Sequence, residues 1–239
     1  MVKKLSQRVA DIEKKLGLGQ DKTDINLVLD MSGSMKDLAP ETISAVNAFI
    51  KEQQTQPGEA TFSLVMFDTE FITVHENTPL KDVKPLTSDV YKPRGMTALL
   101  DAVGITLDRL DRTRPEKAIV VIVTDGYENS SRKYTSDQIK SKIKDAQTRN
   151  WQVVYLGANQ DSWAIGSHMY GTNAGSTATW YGGIGLATGM GTTSSATMDY
   201  RATGQSVDLD AIAKKLGNTD GFDTKSSDPN TSPVPVVTP

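Results

Sequence analysis

The chain has 239 residues, of which 23% are charged, with a formal net charge of −3 and no cysteine. This length suits one α/β domain with additional segments, or at most two small domains. Without cysteine the chain can form no disulfide framework, no zinc finger and no cysteine nucleophile. The slightly negative balance argues against nucleic-acid binding, and no apolar run approaches the roughly 18 residues of a membrane helix. We therefore expect a soluble protein without a signal peptide or membrane span.

The two ends of the chain differ in composition from its middle. Residues 1–22 carry six Lys or Arg against three Asp or Glu, and their apolar residues recur at heptad positions. This pattern predicts an amphipathic helix over residues 2–16, too short for a stable coiled coil alone. We assign residues 1–20 to a helix that docks on its own domain, a second copy or a larger assembly. Four of the ten prolines fall in the last eleven residues, so residues 219–239 are expected to form an extended tail.

Predicted strands and helices alternate along the middle of the chain. In chain order they are a strand at 25–29, a helix from about Pro40, a hairpin of strands 61–67 and 71–74, a helix at 97–110, a strand at 118–123 expected at the centre of the sheet, a helix to residue 148 that opens with a Thr135–Gln138 capping box, and a strand at 152–156. Alternation of this kind favours a doubly wound, mostly parallel sheet with helices on both faces and one antiparallel hairpin at its edge. We place this domain at residues 22–200, followed by a short helical region at 201–218.

Residues 162–198 contain no charged side chain at all, although several are large and apolar. A flexible glycine-rich linker is one explanation. We favour the alternative for the first half, a helix at 162–170 and a last strand at 178–181, because it continues the alternation. For residues 182–198 we predict an interface with another chain, since small residues there permit close backbone approach.

Three polar stretches fall where predicted strands meet the helices that follow them. DMSGS (residues 30–34) follows the first predicted strand, GMT (95–97) opens a helix, and TDG (124–126) follows the most apolar strand. In doubly wound sheets, ligands bind beyond the carboxyl ends of the strands, so these stretches are expected to converge. Their carboxylates and hydroxyls form a hard oxygen set, suited to Mg²⁺ or Mn²⁺ and unsuited to zinc or copper.

DMSGS resembles the D-x-S-x-S signature of von Willebrand factor A (VWA) domains, which carry a metal-ion-dependent adhesion site. GMTALLDA from residue 95 is similar to the second loop of that site, and VTDG from residue 123 to its third loop. The resemblance covers roughly residues 22–160. It implies a metal site at five positions: Asp30, Ser32, Ser34, Thr97 and Asp125.

By this resemblance, the hydroxyls of Ser32 and Ser34 bind the metal directly, while Asp30 and Asp125 act directly or through water. Thr97 joins or leaves with conformation. The cofactor is Mg²⁺ or Mn²⁺, and its open position takes the carboxylate of an Asp or Glu from a partner protein. The implied function is a metal-dependent, non-enzymatic protein-binding domain of bacterial or phage type.

Two alternatives belong to other classes of function. A phosphotransferase of the haloacid dehalogenase type would carry Asp-x-Asp after its first strand, but here the second position is Ser32, which cannot act as acid or base at neutral pH. A structural component of a phage virion or bacterial assembly would use the helix at 2–16, the uncharged segment at 162–198 and the proline-rich tail for attachment. The metal site would then be secondary or vestigial. The location expected from these interpretations is cytoplasmic or virion-associated.

Some polar residues have a simpler explanation than metal binding. The Asp-x-Ser-x-Ser stretch alone is compatible with an ordinary turn. We expect Asp101, on the helix at 97–110, to be a structural hydrogen-bonding residue, and Asp68 to stabilise the hairpin turn.

Overall fold

The computed structural model describes residues 22–158, 176–217 and 220–224. The strands of these residues are β1 (Thr23–Asp30), β2 (Ala60–Phe67), β3 (Phe71–Pro79), β4 (Lys117–Thr124), β5 (Gln152–Ala158), β6 (Thr177–Trp180) and β7 (Phe222–Asp223). The α-helices are α1 (Ala39–Gln54), α2 (Leu99–Thr113), α3 (Ser136–Thr148), α4 (Gly182–Thr203) and α5 (Leu209–Leu216). Short 3-10 helices cover Gly33–Leu38 and Leu80–Asp82.

The described strands form one sheet in the order β3-β2-β1-β4-β5-β6-β7. The five strands from β2 to β6 in this order run parallel, and β2 pairs with β3 antiparallel at one edge. The predicted fold class is therefore confirmed, and β4 lies at the centre as expected. The structure adds a second antiparallel pair, β6 with β7, at the opposite edge. Two residues are too few for β7 to stand out as a strand in the sequence.

The central strands are buried on both faces, which explains their continuous apolar runs. Every residue of β1 and β2 is buried. Leu27 of β1 faces the core shared with α1 and α4, whereas its neighbour Val28 faces the core shared with α2 and α3. Side chains of consecutive strand residues point to opposite faces, so an uninterrupted apolar run supplies both helical layers with a core.

The predicted capping box at the start of α3 is confirmed. The hydroxyl of Thr135 accepts a hydrogen bond from the backbone N–H of Gln138 at 3.3 Å, and the Gln138 side chain accepts one from the backbone N–H of Thr135 at 2.8 Å. Two N–H groups that the helix leaves without an intrahelical partner are thereby satisfied.

Residues 182–198 form most of α4, which packs within the domain; their interface with another chain stays a prediction. The small residues of α4 do permit close approach, but to α1 and β7 of the same chain. Gln53 of α1 donates to the backbone carbonyl of Ser194 at 2.9 Å, and Arg201 of α4 donates to the carbonyl of Gln53 at 2.7 Å. Burial of one face in the domain core accounts for the absence of charge on that face, whereas Ile184 and Ala187 are exposed.

Two predicted domain boundaries also change. The boundary between residues 200 and 201 falls inside α4, which continues to Thr203. Phe222, assigned to the extended tail at 219–239, is buried and pairs with Trp180 of β6. The domain therefore extends at least to residue 223, because β7 completes its sheet.

Some sequence-based predictions lie outside the described residues. These are the docking helix at 2–16, the helix at 162–170 and the part of the tail beyond residue 224. Among the described helices, none combines the length and apolar character needed to cross a membrane.

Two glycines of α4 test the close packing of this helix. A Cβ added to Gly185 would lie 2.0 Å from the carbonyl oxygen of Gly221, whereas one added to Gly191 would meet no atom within 4 Å. Gly185→Ala should lower the free energy of unfolding by about 1–3 kcal/mol through overpacking. Gly191→Ala should raise it by roughly 0.5–1 kcal/mol, since alanine favours the helix. Urea denaturation measures both, and equal effects would contradict the packing described.

Candidate metal site

The candidate site lies at the carboxyl edge of the sheet, beyond the neighbouring strands β1 and β4. These strands are paired in parallel with Leu29 opposite Val123, so Asp30 and Thr124 end the two strands side by side. The loop before α2 is tied to the loop after β1, because the backbone N–H of Gly33 donates to the carbonyl of Gly95 at 3.1 Å. Three loops that are distant in sequence thus meet at one edge.

Asp30 is fully buried, and both of its carboxylate oxygens accept hydrogen bonds. Oδ1 accepts from the backbone N–H of Ser32 at 2.7 Å, and Oδ2 accepts from the hydroxyl of Thr124 at 2.5 Å. Removal from water raises the pKa of Asp30 to about 6, although these hydrogen bonds act in the opposite direction. The phenol of Tyr91 donates to the Asp30 backbone carbonyl at 2.7 Å and fixes the end of the strand.

The two serines connect the first loop to the third. The hydroxyl oxygens of Ser32 and Ser34 lie 3.1 Å apart, and the Ser34 hydroxyl donates to Oδ1 of Asp125 at 2.6 Å. Burial raises the pKa of Asp125 as well. Four of the five predicted site residues, Asp30, Ser32, Ser34 and Asp125, are therefore linked in one chain of hydrogen bonds.

Thr97 joins this group through the space in front of Gly126. A Cβ placed on Gly126 would lie 2.9 Å from Oγ1 of Thr97, 3.7 Å from Oδ2 of Asp30 and 3.7 Å from Oγ of Ser34. One small volume, kept open by the absence of a side chain at Gly126 of the loop after β4, is thus lined by oxygens of Asp30, Ser34 and Thr97. Asp125 is connected to the same group by its hydrogen bond with Ser34. The structure brings all five predicted residues together.

The chemistry of these oxygens fits a divalent cation. No lysine or arginine of the described residues is among the groups that lower the pKa of Asp30 or Asp125. The carboxylates of Asp30 and Asp125 are therefore removed from water at the same site without a cationic partner among the described residues, which is costly unless a positive charge is bound. No group of three or more His, Cys, Asp or Glu side chains within the described ranges could hold a metal. The candidate site is not a group of that kind, because three of its five proposed ligands are hydroxyls.

Two acidic residues near the site have structural roles, as the sequence suggested. Asp68 accepts a hydrogen bond from the backbone N–H of Glu70 at 2.6 Å in the hairpin turn and forms an ion pair with Arg94 at 3.0 Å. The carboxylate of Asp101 accepts hydrogen bonds from the backbone N–H groups of Arg132, Lys133 and Tyr134. Neither carboxylate is a candidate ligand.

Sequence reasoning missed two residues that support the site. Thr124 belongs to the stretch TDG at 124–126, but its hydrogen bond to Asp30 depends on the pairing of β1 with β4, which the sequence did not predict. Glu128 lies in the loop after β4 and accepts a hydrogen bond from the N–H of Leu100 at the start of α2. A polar residue directly after a buried strand was the available signal for Thr124. The sequence does not indicate the role of Glu128 in capping α2, since Leu100 is 28 residues away.

Comparison with known proteins identifies the family. Residues 18–174 match the family described as VWA domain containing CoxE-like protein. The chain belongs to this family, and its domain is a VWA domain. Domains of this class generally mediate protein interactions and are typically not enzymes. The comparison with curated proteins found no match.

Solved structures share the fold at low sequence identity. PilB minor pilin from Streptococcus sanguinis is 14% identical with a TM-score of 0.54, covering 75% of this chain and 62% of that one. Proximal thread matrix protein 1 from the mussel byssus is 18% identical with a TM-score of 0.52, covering 74% and 46%. A von Willebrand factor type A protein from Catenulispora acidiphila is 13% identical with a TM-score of 0.52, covering 74% and 42%. The chain thus spans less than half the length of the latter two proteins. Another structure of the mussel protein (16% identity, TM-score 0.50, covering 71% and 46%) has a zinc-occupied adhesion-site motif.

The buried carboxyl of Asp30 makes the stability of the protein in EDTA depend on pH. Its pKa of about 6 in the folded chain lies above the value near 3.9 of an exposed aspartate, so the folded state binds the proton more tightly. The contribution of this group to the free energy of unfolding therefore falls as the pH rises from about 4 to above 6. Asp30→Asn removes this dependence. The free energy of unfolding of Asp30→Asn, measured by urea denaturation relative to that of wild type, should rise by on the order of 2 kcal/mol across that pH range. A difference that does not change with pH would contradict the prediction.

Proposed function

We propose that the chain is a metal-dependent protein-binding domain in which Mg²⁺ or Mn²⁺ is held by Asp30, Ser32, Ser34, Thr97 and Asp125. The observation that carries the proposal is the convergence of oxygens from Asp30, Ser34 and Thr97 on the space in front of Gly126, with Asp125 hydrogen-bonded to Ser34. The two uncompensated carboxylates supply the charge that such an ion needs. When bound, the cation offers an electrophilic position to an anionic oxygen, for which an Asp or Glu side chain of a partner protein is suited.

The residues of the chain divide the work of holding the cation. Ser32 and Ser34 present neutral hydroxyl oxygens, so the positive charge is not fully cancelled and an incoming carboxylate is still attracted. Thr124 holds Asp30 through a hydrogen bond to one oxygen and so sets which oxygen lone pairs remain available. Arg94, an exposed cation of the neighbouring loop, is paired with Asp68 and Glu70 rather than with Asp30 or Asp125.

The geometry gives little support to phosphotransfer. A second carboxylate two residues after Asp30 would be needed as acid or base, and the hydroxyl of Ser32 stands there beside that of Ser34. The assembly role in a virion or bacterial complex, the bacterial or phage origin and the corresponding locations stay predictions from the sequence. A working metal site is compatible with each of them.

Metal binding is tested by filling the space in front of Gly126. Gly126→Ala keeps every proposed ligand but puts a methyl group 2.9 Å from Oγ1 of Thr97. We expect Mn²⁺ affinity, measured by calorimetry, to fall about tenfold or more, as when ligand orientation is disturbed in other metal sites. Asp125→Asn should abolish binding, whereas Asp37→Asn should not, because Asp37 is exposed on the following 3-10 helix. Titrations with Mg²⁺, Mn²⁺ and Zn²⁺ identify the preferred ion. Equal Mn²⁺ affinity in Asp125→Asn and wild type would refute the proposed site.

The carboxylate-binding step is tested on a protein captured by the chain from its source. We expect capture to be lost in EDTA, restored by Mg²⁺ or Mn²⁺ and absent with Asp125→Asn. Replacing one Asp or Glu of the captured protein by Asn or Gln should abolish the same interaction. Capture that persists in EDTA would instead favour the assembly role, in which the metal site is secondary.

A further inference from the structure

The N-terminus of α2 is capped by residues from a distant part of the chain. Ala98, directly before the helix, makes no side-chain capping bond. Instead the N–H of Leu100 donates to Oε2 of Glu128 at 2.9 Å, and the N–H of Asp101 donates to the hydroxyl of Ser131 at 3.0 Å. Since the first N–H groups of a helix have no intrahelical acceptor, these bonds tie the start of α2 to the loop after β4.

Glu128 is the centre of this connection because its carboxylate accepts four hydrogen bonds. Oε1 accepts from the backbone N–H groups of Ser130 at 2.9 Å and Ser131 at 2.7 Å. Oε2 accepts from Leu100 and from the hydroxyl of Ser131 at 2.7 Å. A negative charge at this place is also favoured by the dipole of α2. Only an ionised carboxylate can accept all four bonds.

The next residue, Asn129, carries the connection to Thr97. The side-chain oxygen of Asn129 accepts a hydrogen bond from the N–H of Thr97 at 2.9 Å, and the carbonyl of Thr97 accepts one from the N–H of Asn129 at 3.0 Å. Thr97 therefore comes just before the helix start that Glu128 caps, and it is hydrogen-bonded to Asn129, the residue after Glu128. Asp125, another proposed ligand, lies three residues before Glu128 on the same loop.

We propose that Glu128 is a positioning residue of the metal site, which fixes Thr97 of one loop relative to Asp125 of another. The inference rests on the proposed metal site and adds to it a group that touches neither the metal nor the partner. Without Glu128, the bonds between Thr97 and Asn129 would remain, but the start of α2 would lose its connection to this loop through the Leu100 N–H. The cation would then have to complete the ordering of the two loops, and the entropy of that ordering would be subtracted from its affinity.

The test compares Glu128→Gln with a matched change elsewhere on α2. A glutamine amide has one oxygen, and its NH₂ group would stand in place of the other oxygen and face N–H or O–H donors. The two hydrogen bonds that this other oxygen accepts in Glu128 are therefore lost. Asp108 of α2 accepts hydrogen bonds from Tyr134 and Lys142 and thus also links the helix to the end of this loop and to α3. It makes no hydrogen bond with Thr97 or Asp125 in the described structure. Asp108→Asn is therefore the control for general loosening of α2.

We expect Glu128→Gln to weaken Mn²⁺ binding about tenfold, the usual effect of losing an outer-shell partner, while Asp108→Asn changes it less than about twofold. In EDTA, hydrogen exchange of the Thr97 and Asn129 amides should become faster in Glu128→Gln and stay unchanged in Asp108→Asn. Equal Mn²⁺ affinity of Glu128→Gln and wild type, or equal loss in both variants, would overturn the proposal.

Two further comparisons separate a failure of the positioning role from a folding defect and from a failure of the metal site. If Glu128→Gln does not fold, Ser131→Ala removes one of the four bonds and the cap of Asp101, and a two- to threefold loss of affinity is expected. If wild type itself binds no Mn²⁺, the metal site is refuted and the exchange data alone decide whether Glu128 fixes Thr97. Unchanged exchange at Thr97 and Asn129 in Glu128→Gln would refute the positioning role.

Discussion

The site depends on a carboxylate that is buried at the end of a buried strand. Desolvation of an ion costs several kcal/mol, and Asp30 recovers part of this through hydrogen bonds from Ser32 and Thr124. The second of these bonds exists only because β1 and β4 are paired in one register. A slip by one residue would turn the side chain of Asp30 to the other face of the sheet. The apolar pattern of the central strands thus also sets the geometry of the polar site.

The sequence was most informative where local chemistry and long-range structure agree. The runs that became β1 and β4 are apolar throughout, which predicted buried strands. The alternation of strands and helices predicted a mostly parallel sheet, while the pairing of β1 with β4 is a finding of the structure. Polar residues directly after such strands must lie at a common edge of the sheet, which predicted the surroundings of Asp30 and Asp125. The capping box of α3 was equally visible, because both of its partners lie within four residues.

The sequence was least informative about α4 and about the residues that organise the loops. Glycine, serine and threonine have low intrinsic helix propensity, and α4 contains many of them. It is stabilised instead by tertiary contacts, such as those of Gln53 with Ser194 and Arg201. Small side chains suit a close helix pair inside one domain as well as an interface between two chains, so composition could not distinguish them. Glu128 was missed for a related reason, since a cap from 28 residues away leaves no pattern along the chain.

Both edges of the sheet are closed to strand addition. At one edge β3 pairs irregularly with β2, with register shifts around Leu64, and it carries Glu76 and ends at Pro79. At the other edge β7 is only two residues long. Bulges, charges, proline and very short edge strands are the features by which proteins avoid growing into continuous sheets. Growth of the described sheet is thus disfavoured at both edges, which favours contacts through loops and helices in a larger structure and protects copies at high local concentration from fusing edge to edge.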